Sequence, residues 1–185
     1  SRPDAAVQGL EQALLSDGID EADRQQLTLA LASTLAESGR LKDSLDVTDR
    51  AIATWPDAND FRMQKAMALF ALERSSAAIS TLREIINRDP EHAPALNALG
   101  YTLADENRDL EEAERLITRA LHIESDNPAF LDSLGWLKYR QGQIEKAIEV
   151  LEAAFRQSPN AEVGAHLGEV LWVDGQRERA MTIWQ

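Results

Sequence analysis

Apolar residues recur along this chain with helical spacing, in short stretches of about a dozen residues. Between positions 127 and 160 two such stretches follow one another, with apolar residues at Leu131, Leu134, Leu137, Ile144, Ile148 and Leu151. These spacings place the side chains along one face of a helix. Gly142 separates the two stretches and Pro159 follows the second. The pattern therefore predicts two amphipathic helices joined by a tight turn.

The same pattern returns along the chain at intervals of 33 to 35 residues. A small residue marks the equivalent point of each first helix, at Ala32, Ala66, Gly100, Gly135 and Gly168. Another marks each second helix, at Ser44, Ala78, Ala113, Ala147 and Ala180. Helices of this length are marginal alone in water, and small residues let two helix backbones approach closely. We therefore expect each first helix to pack against the second helix that follows it.

The interval and its markers resemble the tetratricopeptide repeat, whose period is about 34 residues. The resemblance rests on Leu99-Gly100, Leu134-Gly135 and Leu167-Gly168, on the small residues, and on prolines that we expect to end second helices, Pro56, Pro90, Pro128 and Pro159. The sequence departs from the family pattern at Lys65, where the family has Leu. The resemblance implies an all-α fold, a right-handed superhelical solenoid of antiparallel helix pairs.

The repeat register predicts a single solenoid over residues 1–185. We expect the second helix of a truncated repeat, four full repeats and a second truncated repeat, at residues 1–17, 22–56, 57–90, 91–126, 127–159 and 161–185. One extra residue near Asn107 predicts a longer turn in the third full repeat. Because the chain starts at Ser1 and not at a methionine, we interpret it as a fragment or a processed form.

The charge and the cysteine content exclude several classes of function. The formal net charge is −13, from 32 acidic and 19 basic residues, which argues against a nucleic-acid partner because phosphate binding needs a basic surface. The absence of cysteine excludes disulfides, thiolate metal sites and cysteine nucleophiles. No apolar run approaches the roughly 18 residues of a membrane span, so we expect no direct membrane insertion of this chain.

The three histidines do not indicate a metal site or a catalytic site. His92, His122 and His166 lie at least 30 residues apart, whereas a helical metal site needs ligands about four residues apart. We interpret each as a solvated or capping residue. The sequence also lacks a phosphate-binding glycine loop and a nucleophile elbow. We therefore predict no enzymatic activity, no metal and no cofactor.

The candidate binding residues are first-helix residues that the packing stripe does not use. Repeat stacks bind partners on the concave face that such residues line. The predicted groove consists of Met63, Met67, Phe70, Asn97, Tyr101, Asp132, Trp136, Tyr139, Arg140 and Trp172. Aromatic residues and arginine are enriched at interfaces, and methionine supplies an adaptable apolar surface. In an alternative interpretation, some of these rings only pack between neighbouring first helices and fill gaps left by Gly135 and Gly168.

The pattern as a whole predicts a protein-protein interaction scaffold that binds a protein or peptide partner in this groove. The segments Leu99-Gly100-Tyr101, Leu134-Gly135-Trp136 and Leu167-Gly168-Glu169 resemble the carboxyl-terminal part of long tetratricopeptide proteins of Gram-negative bacteria. That resemblance implies an outer-membrane lipoprotein on the periplasmic side, acting as an adaptor for a carboxyl-terminal processing protease. Three alternatives stay open: a cytoplasmic location, a regulatory repeat region of a larger enzyme, and a structural stack that self-associates through its ends.

Overall fold

The computed structural model describes the backbone of residues 2–185 and the side chains of residues 4–185. That part of the chain forms eleven α-helices and no β-strand. The helices are α1 (Arg2–Leu14), α2 (Glu21–Glu37), α3 (Leu41–Thr54), α4 (Asn59–Ala71), α5 (Ser75–Arg88), α6 (Ala93–Asp105), α7 (Leu110–Ile123), α8 (Pro128–Arg140), α9 (Ile144–Gln157), α10 (Ala161–Val173) and α11 (Arg177–Trp184).

Successive helices form pairs, in which α2 packs on α3, α4 on α5, α6 on α7, α8 on α9 and α10 on α11. Three residues join most pairs and four residues join α6 to α7. Connections this short bring the second helix back antiparallel to the first. The predicted all-α architecture of antiparallel helix pairs is confirmed, and so is the longer turn near Asn107.

The residue types at the helix starts explain where several helices begin. The ring of His92 caps α6, because its Nδ1 atom accepts a hydrogen bond from the backbone N–H of Ala95 at 3.2 Å. This observation confirms a capping role for His92. Pro128 is the first residue of α8, whereas α7 already ends at Ile123. Our prediction that Pro128 ends a second helix was wrong, because a proline is well tolerated at the first helical position, where the N–H has no partner within the helix.

Each turn between paired helices contains a residue in the left-handed region of backbone conformation, and the turn between α6 and α7 contains a second one, Asp109. Gly39, Gly142 and Gly175 have φ angles of 80°, 76° and 87°. At the equivalent turn positions stand Glu73, with φ 58°, and Asn107, with φ 53°. Glycine adopts this conformation without a steric cost, whereas most other residues do not. A left-handed residue therefore recurs at the equivalent point of every turn, although two of the turns use residues less suited to that conformation and the turn between α6 and α7 is one residue longer.

A glycine in the first helix accepts a large side chain from the second helix of its own pair. A Cβ atom at Gly135 would lie 2.5 Å from Cγ of Leu151, and one at Gly100 would lie 2.6 Å from Cγ1 of Ile117. At Gly168 an added Cβ would collide with the indole of Trp184. The close approach that we predicted exists in each of these pairs. It is made by a bulky side chain over a glycine, and the predicted groove rings do not fill the space at Gly135.

The chain divides into two compact units, Ser1–Arg88 and Asp89–Gln185. In the first unit α2 packs on α4. In the second unit α6 packs on α8 and α8 packs on α10, so three first helices lie side by side. The single solenoid over residues 1–185 stays a prediction. Among the residues that the structure describes, no helix combines the length and the apolar character needed to cross a membrane.

Candidate functional site

A buried ion pair joins α8 to α10 in the second unit. The Nδ1 atom of His166 lies 2.9 Å and 3.0 Å from the two carboxylate oxygens of Asp132. The His166 side chain is 12% exposed and that of Asp132 is 6% exposed. The hydroxyl of Tyr101 on α6 lies 3.4 Å from the Nε2 atom of the same ring. One imidazole therefore connects three neighbouring first helices.

The surroundings of His166 favour its protonated form. Burial by itself would lower the pKa of His166, but the hydrogen bond that it donates to Asp132 and the negative charges of Asp132, Glu162 and Asp105 together raise it. In the protonated ring the Nδ1–H group donates to Asp132, so the two buried charges compensate each other. Our interpretation of His166 as a solvated or capping residue was wrong, because the Asp132 carboxylate meets it from the neighbouring first helix.

Trp136 lies at the centre of the same region and is itself buried, with 6% of its surface exposed. Its indole stacks on His166, with ring centroids 4.4 Å apart and ring planes 25° apart. The indole N–H donates to Oδ1 of Asp105 at 3.1 Å. The ring of Tyr139 packs against the indole at 5.0 Å, and the guanidinium of Arg140 lies 5.9 Å from its centroid. Trp136 is therefore held by contacts on several sides.

A second aromatic residue on α8 reaches across to α10. The hydroxyl of Tyr139 donates to Oε1 of Glu169 at 3.3 Å. Burial, followed by the charge and the hydrogen bond of Glu169, raises the pKa of Tyr139, while Arg140 acts in the opposite direction. Tyr139 and Arg140 are both half-buried, and Glu169 is exposed, so this part of the helix surface is open to solvent.

These side chains form one continuous surface of the second unit. We call it the aromatic face and define it as the side of α6, α8 and α10 that carries Tyr101, Asp105, Trp136, Tyr139 and Glu169. Each of its aromatic residues has a polar tip that bonds or approaches a polar group on another first helix. These contacts hold the aromatic residues of the face in place.

The phenol of Tyr101, the imidazole of His166 and the carboxylate of Asp132 lie in a row. A catalytic triad places a nucleophile, a base and an orienting acid in the same order. Such an arrangement is catalytic only when the first group is activated by a lowered pKa or by a base that takes its proton. Here burial, with the charges of Asp105, Glu162 and Asp132, raises the pKa of Tyr101 to about 12. The arrangement thus stabilises the protonated phenol. Among the described residues no group of three His, Asp or Glu side chains is placed to bind a metal ion.

Two further predicted groove residues of the second unit lie apart from this network. The side-chain oxygen of Asn97 on α6 is buried and finds no hydrogen-bond partner among the residues that the structure describes. Trp172 on α10 is 43% exposed. Its ring lies 5.1 Å from the guanidinium of Arg177 and 5.9 Å from the ring of Trp184. Trp172 is therefore accessible but already has neighbours from α11.

The predicted groove residues of the first unit form a separate surface between α2 and α4. Met63 and Met67 line an open depression of about 480 Å³ together with Leu29 and Ser33. Met67 is 56% exposed, and Phe70 on the same helix is half-buried. Half of the residues that line this depression are apolar, and the two methionines among them have flexible side chains.

The buried position of His166 could not be predicted from histidine spacings within one helix. Asp132 precedes His166 by 34 residues, which is one repeat period. Tyr139 and Glu169 lie 30 residues apart, and Asp105 and Trp136 lie 31 apart. In a repeat stack, residues one period apart lie on neighbouring equivalent helices. Pairing polar residues at about that separation would have identified the network.

Comparison with known families gives matches along most of the chain. A family model described as Tetratrico peptide repeat matches residues 1–103, and another, described as Tetratricopeptide repeat, matches residues 105–168. The chain is 38% identical over 170 residues to the TPR repeat-containing protein PA4667 of Pseudomonas aeruginosa. That alignment covers 91% of this chain and 28% of the relative. The chain thus spans between a quarter and a third of the length of that relative.

Solved structures share the fold at low sequence identity. A tetratricopeptide repeat protein from Parabacteroides merdae matches 98% of this chain with a TM-score of 0.76 and 15% identity, over 70% of its own length. TTC0263, a thermophilic TPR protein of Thermus thermophilus, matches 86% of this chain with a TM-score of 0.77 and 20% identity, over 87% of its own length. These likenesses concern the fold alone, and they confirm the all-α repeat class predicted from the sequence.

Proposed function

Because the chain belongs to the tetratricopeptide repeat family, we propose that it is a protein-binding scaffold whose second unit holds a partner polypeptide on the aromatic face. Tetratricopeptide repeats serve as scaffolds for protein-protein interaction. The choice of this face rests on one observation. Trp136 is fixed by His166 and Asp105 and stands behind Tyr139, which is half-buried at the surface.

Trp136 and the two tyrosines have different roles in the proposed binding. Trp136 is too buried to supply much contact area, so it acts as a rigid support. Tyr139 and Tyr101 are half-buried and offer ring surface together with a polar tip. Aromatic residues of this type dominate binding energy at interfaces. Because their positions are fixed in the free protein, little conformational entropy is lost when a partner binds.

The proposal includes no catalytic step. Repeat folds of this family are typically non-catalytic scaffolds. The raised pKa of Tyr101, about 12, supports this part of the proposal, because the phenol nearest to a histidine keeps its proton at neutral pH.

A capture experiment tests the aromatic face. The chain is immobilised, partners are recovered from the extract of its source organism, and recovery is compared between wild type and Tyr139→Ala. Phe155→Ala is a matched control, since Phe155 is also a half-buried ring but lies on α9. We expect Tyr139→Ala to reduce recovery about tenfold, which corresponds to about 1.4 kcal/mol, and Phe155→Ala to leave it unchanged. Equal recovery with both variants would overturn the proposal.

The finer part of the proposal concerns the cellular role. We propose that the full-length protein resides at the periplasmic face of the outer membrane and delivers substrates to a carboxyl-terminal processing protease. The support is the resemblance of the segments around Gly100, Gly135 and Gly168 to tetratricopeptide proteins of that type. Fractionation of the full-length protein tests the location, and co-purification with such a protease tests the role. Recovery with the cytoplasmic fraction, or without the protease, would contradict it.

Self-association is a second candidate, favoured by exposed apolar side chains on α10 and α11. These are Trp172, Val173, Met181 and Trp184, which are 43%, 56%, 48% and 48% exposed. Sedimentation velocity of wild type and of Val173→Ser with Met181→Ser tests this candidate. Concentration-dependent dimers that disappear in the double variant would support it, and a monomer at all concentrations would exclude it.

A further inference from the structure

Two aromatic residues of the aromatic face each donate a hydrogen bond to an exposed carboxylate. The N–H of Trp136 donates to Asp105, and the hydroxyl of Tyr139 donates to Glu169. Asp105 and Glu169 are both exposed. A carboxylate has about four acceptor positions, so each of these groups can accept further hydrogen bonds from a partner. Each of these rings therefore lies beside a hydrogen-bond acceptor whose position is fixed.

The second unit already places its own cations against rings of α8 and α10. The guanidinium of Arg140 lies 5.9 Å from the centroid of Trp136, and that of Arg177 lies 5.1 Å from the centroid of Trp172. Both distances are within the range of a cation–π contact, which extends to about 6 Å. Aromatic rings on α8 and α10 therefore tolerate a guanidinium group as a neighbour in this fold.

The charges around the aromatic face do not balance. Asp132 is compensated by His166. Asp105, Glu162 and Glu169 remain as exposed carboxylates, with Arg140 as a neighbouring cation. Asp105 and Glu162 both raise the pKa of Tyr101 and of His166. The negative charges of these two carboxylates therefore both act on the region of Tyr101 and His166. A cationic partner would find charge complementarity here, and an acidic partner would be repelled.

The packing of the helices suggests the spacing that such a partner needs. Neighbouring packed helices lie about 8–10 Å apart. An extended chain in the polyproline II conformation advances about 3.1 Å per residue with three residues per turn. Side chains three residues apart in such a segment therefore point to the same side and reach neighbouring first helices.

From these observations we infer that the aromatic face binds an extended cationic segment of a partner protein, with arginine or lysine at about every third position. The inference rests on the protein-binding function proposed above and adds the chemistry of the partner. In the complex the partner's guanidinium or ammonium groups lie against Tyr139 and Tyr101 and bond to Asp105, Glu162 and Glu169.

Fluorescence anisotropy with synthetic peptides tests this inference on the chain as it stands. The probe is a labelled extended peptide with arginine at every third position and alanine and serine between. The comparison peptides replace each arginine by glutamine or by glutamate. The test variant is Glu162→Gln with Glu169→Gln. The matched control is Glu145→Gln with Glu149→Gln, which removes the same charge from exposed positions of α9.

We expect the arginine peptide to bind and the test variant to weaken its binding about tenfold, because two carboxylates that bond to the peptide's cations lose their charge. The control variant is expected to change affinity less than twofold. Arg140→Gln is expected to tighten the binding of the arginine peptide, since it removes a positive charge beside Tyr139 that repels the peptide. Equal weakening by test and control variants would overturn the inference, because the attraction would then come from overall charge.

The remaining outcomes separate this inference from the protein-binding function. If the glutamine or glutamate peptide binds as tightly as the arginine peptide, and Tyr139→Ala abolishes that binding, the function stands and the cationic partner is wrong. If no peptide binds while Tyr139→Ala still reduces partner capture, the cationic partner is again wrong and the function stands. If no peptide binds and Tyr139→Ala leaves capture unchanged, both are wrong.

Discussion

The Nδ1 atom of His166 lies 2.9 Å from Oδ2 of Asp132, so the contact between α8 and α10 includes a buried pair of opposite charges. Removing one member of such a pair costs more than the pair itself contributes, because the other charge stays buried without compensation. The pair also positions Trp136, whose indole stacks on the imidazole. The stability of the second unit should therefore depend on pH.

The dependence follows from the raised pKa of His166 in the folded protein. Its contribution is fully present below the unfolded pKa of about 6.5 and is lost as the pH rises through the folded value. We expect His166→Gln to lower the free energy of unfolding by about 3 kcal/mol at pH 5.5 and by less at pH 8.5. Urea denaturation of both proteins across this range measures the difference.

Two further variants make this prediction specific. His122→Gln changes an exposed histidine and is the matched control, expected to leave the free energy of unfolding unchanged within about 0.5 kcal/mol. Asp132→Asn keeps the shape of the side chain but removes the charge that raises the pKa of His166, so burial should then lower that pKa and reverse the slope. An identical loss of stability in His166→Gln at every pH would contradict the charged pair.

The tyrosines offer a direct spectroscopic test, because the chain has two of them, Tyr101 and Tyr139. Burial raises the pKa of both, and that of Tyr101 to about 12. In Tyr139→Phe the absorbance of tyrosinate should therefore appear in a single step near pH 12, measured after a rapid pH jump before the chain unfolds. A step near pH 10 in this variant would contradict the buried position of Tyr101.

Adding a methyl group at Gly135 tests the packing within a helix pair. The new Cβ would lie 2.5 Å from Cγ of Leu151 and 3.2 Å from its backbone nitrogen, so α8 and α9 must separate. We expect Gly135→Ala to lower the free energy of unfolding by about 1–3 kcal/mol. Gly9→Ala is the matched control, because it lies in α1 with nothing within 4 Å and should gain about 0.5–1 kcal/mol. A rise in the free energy of unfolding in both variants would refute the close packing at Gly135.

The left-handed turn residues give a prediction of opposite sign at two equivalent positions. Glu73 has φ 58° and Gly142 has φ 76°. The left-handed conformation costs a non-glycine residue about 1–2 kcal/mol. Glycine avoids this cost, but part of the advantage is lost because glycine gives the unfolded chain more conformational entropy. Glu73→Gly should therefore raise the free energy of unfolding by about 0.5–1 kcal/mol, and Gly142→Ala should lower it by about 1 kcal/mol. Thermal denaturation of the two variants measures both, and a loss of stability in Glu73→Gly would contradict the turn conformation.

The helix pairs could be predicted because their signals are local. The spacing of Leu131, Leu134 and Leu137 shows a helical face whatever lies opposite, and the turn at Gly142 requires only the conformational freedom of glycine. Pro128 shows the limit of this approach. A proline is compatible both with the residues after a helix and with the first position of the next helix, so the sequence alone did not decide between the two.

The candidate site could be predicted only in part, because its geometry depends on which side chains meet across helices. Trp136, Tyr139 and Asp132 were placed on one surface from their positions on α8. That Trp136 is 6% exposed depends on His166 and Asp105, which α10 and α6 supply. That Tyr139 and the other groove residues contact a partner stays a prediction.

The sequence by itself determined the helices, their pairing and the repeat, because periodic apolar residues, glycines and prolines act within a few residues of one another. Only the tertiary structure decided that His166 is a buried partner of Asp132 and that Trp136 is a support behind Tyr139. Burial and charge compensation arise from atoms one repeat away, and these atoms meet only after neighbouring helix pairs have packed together.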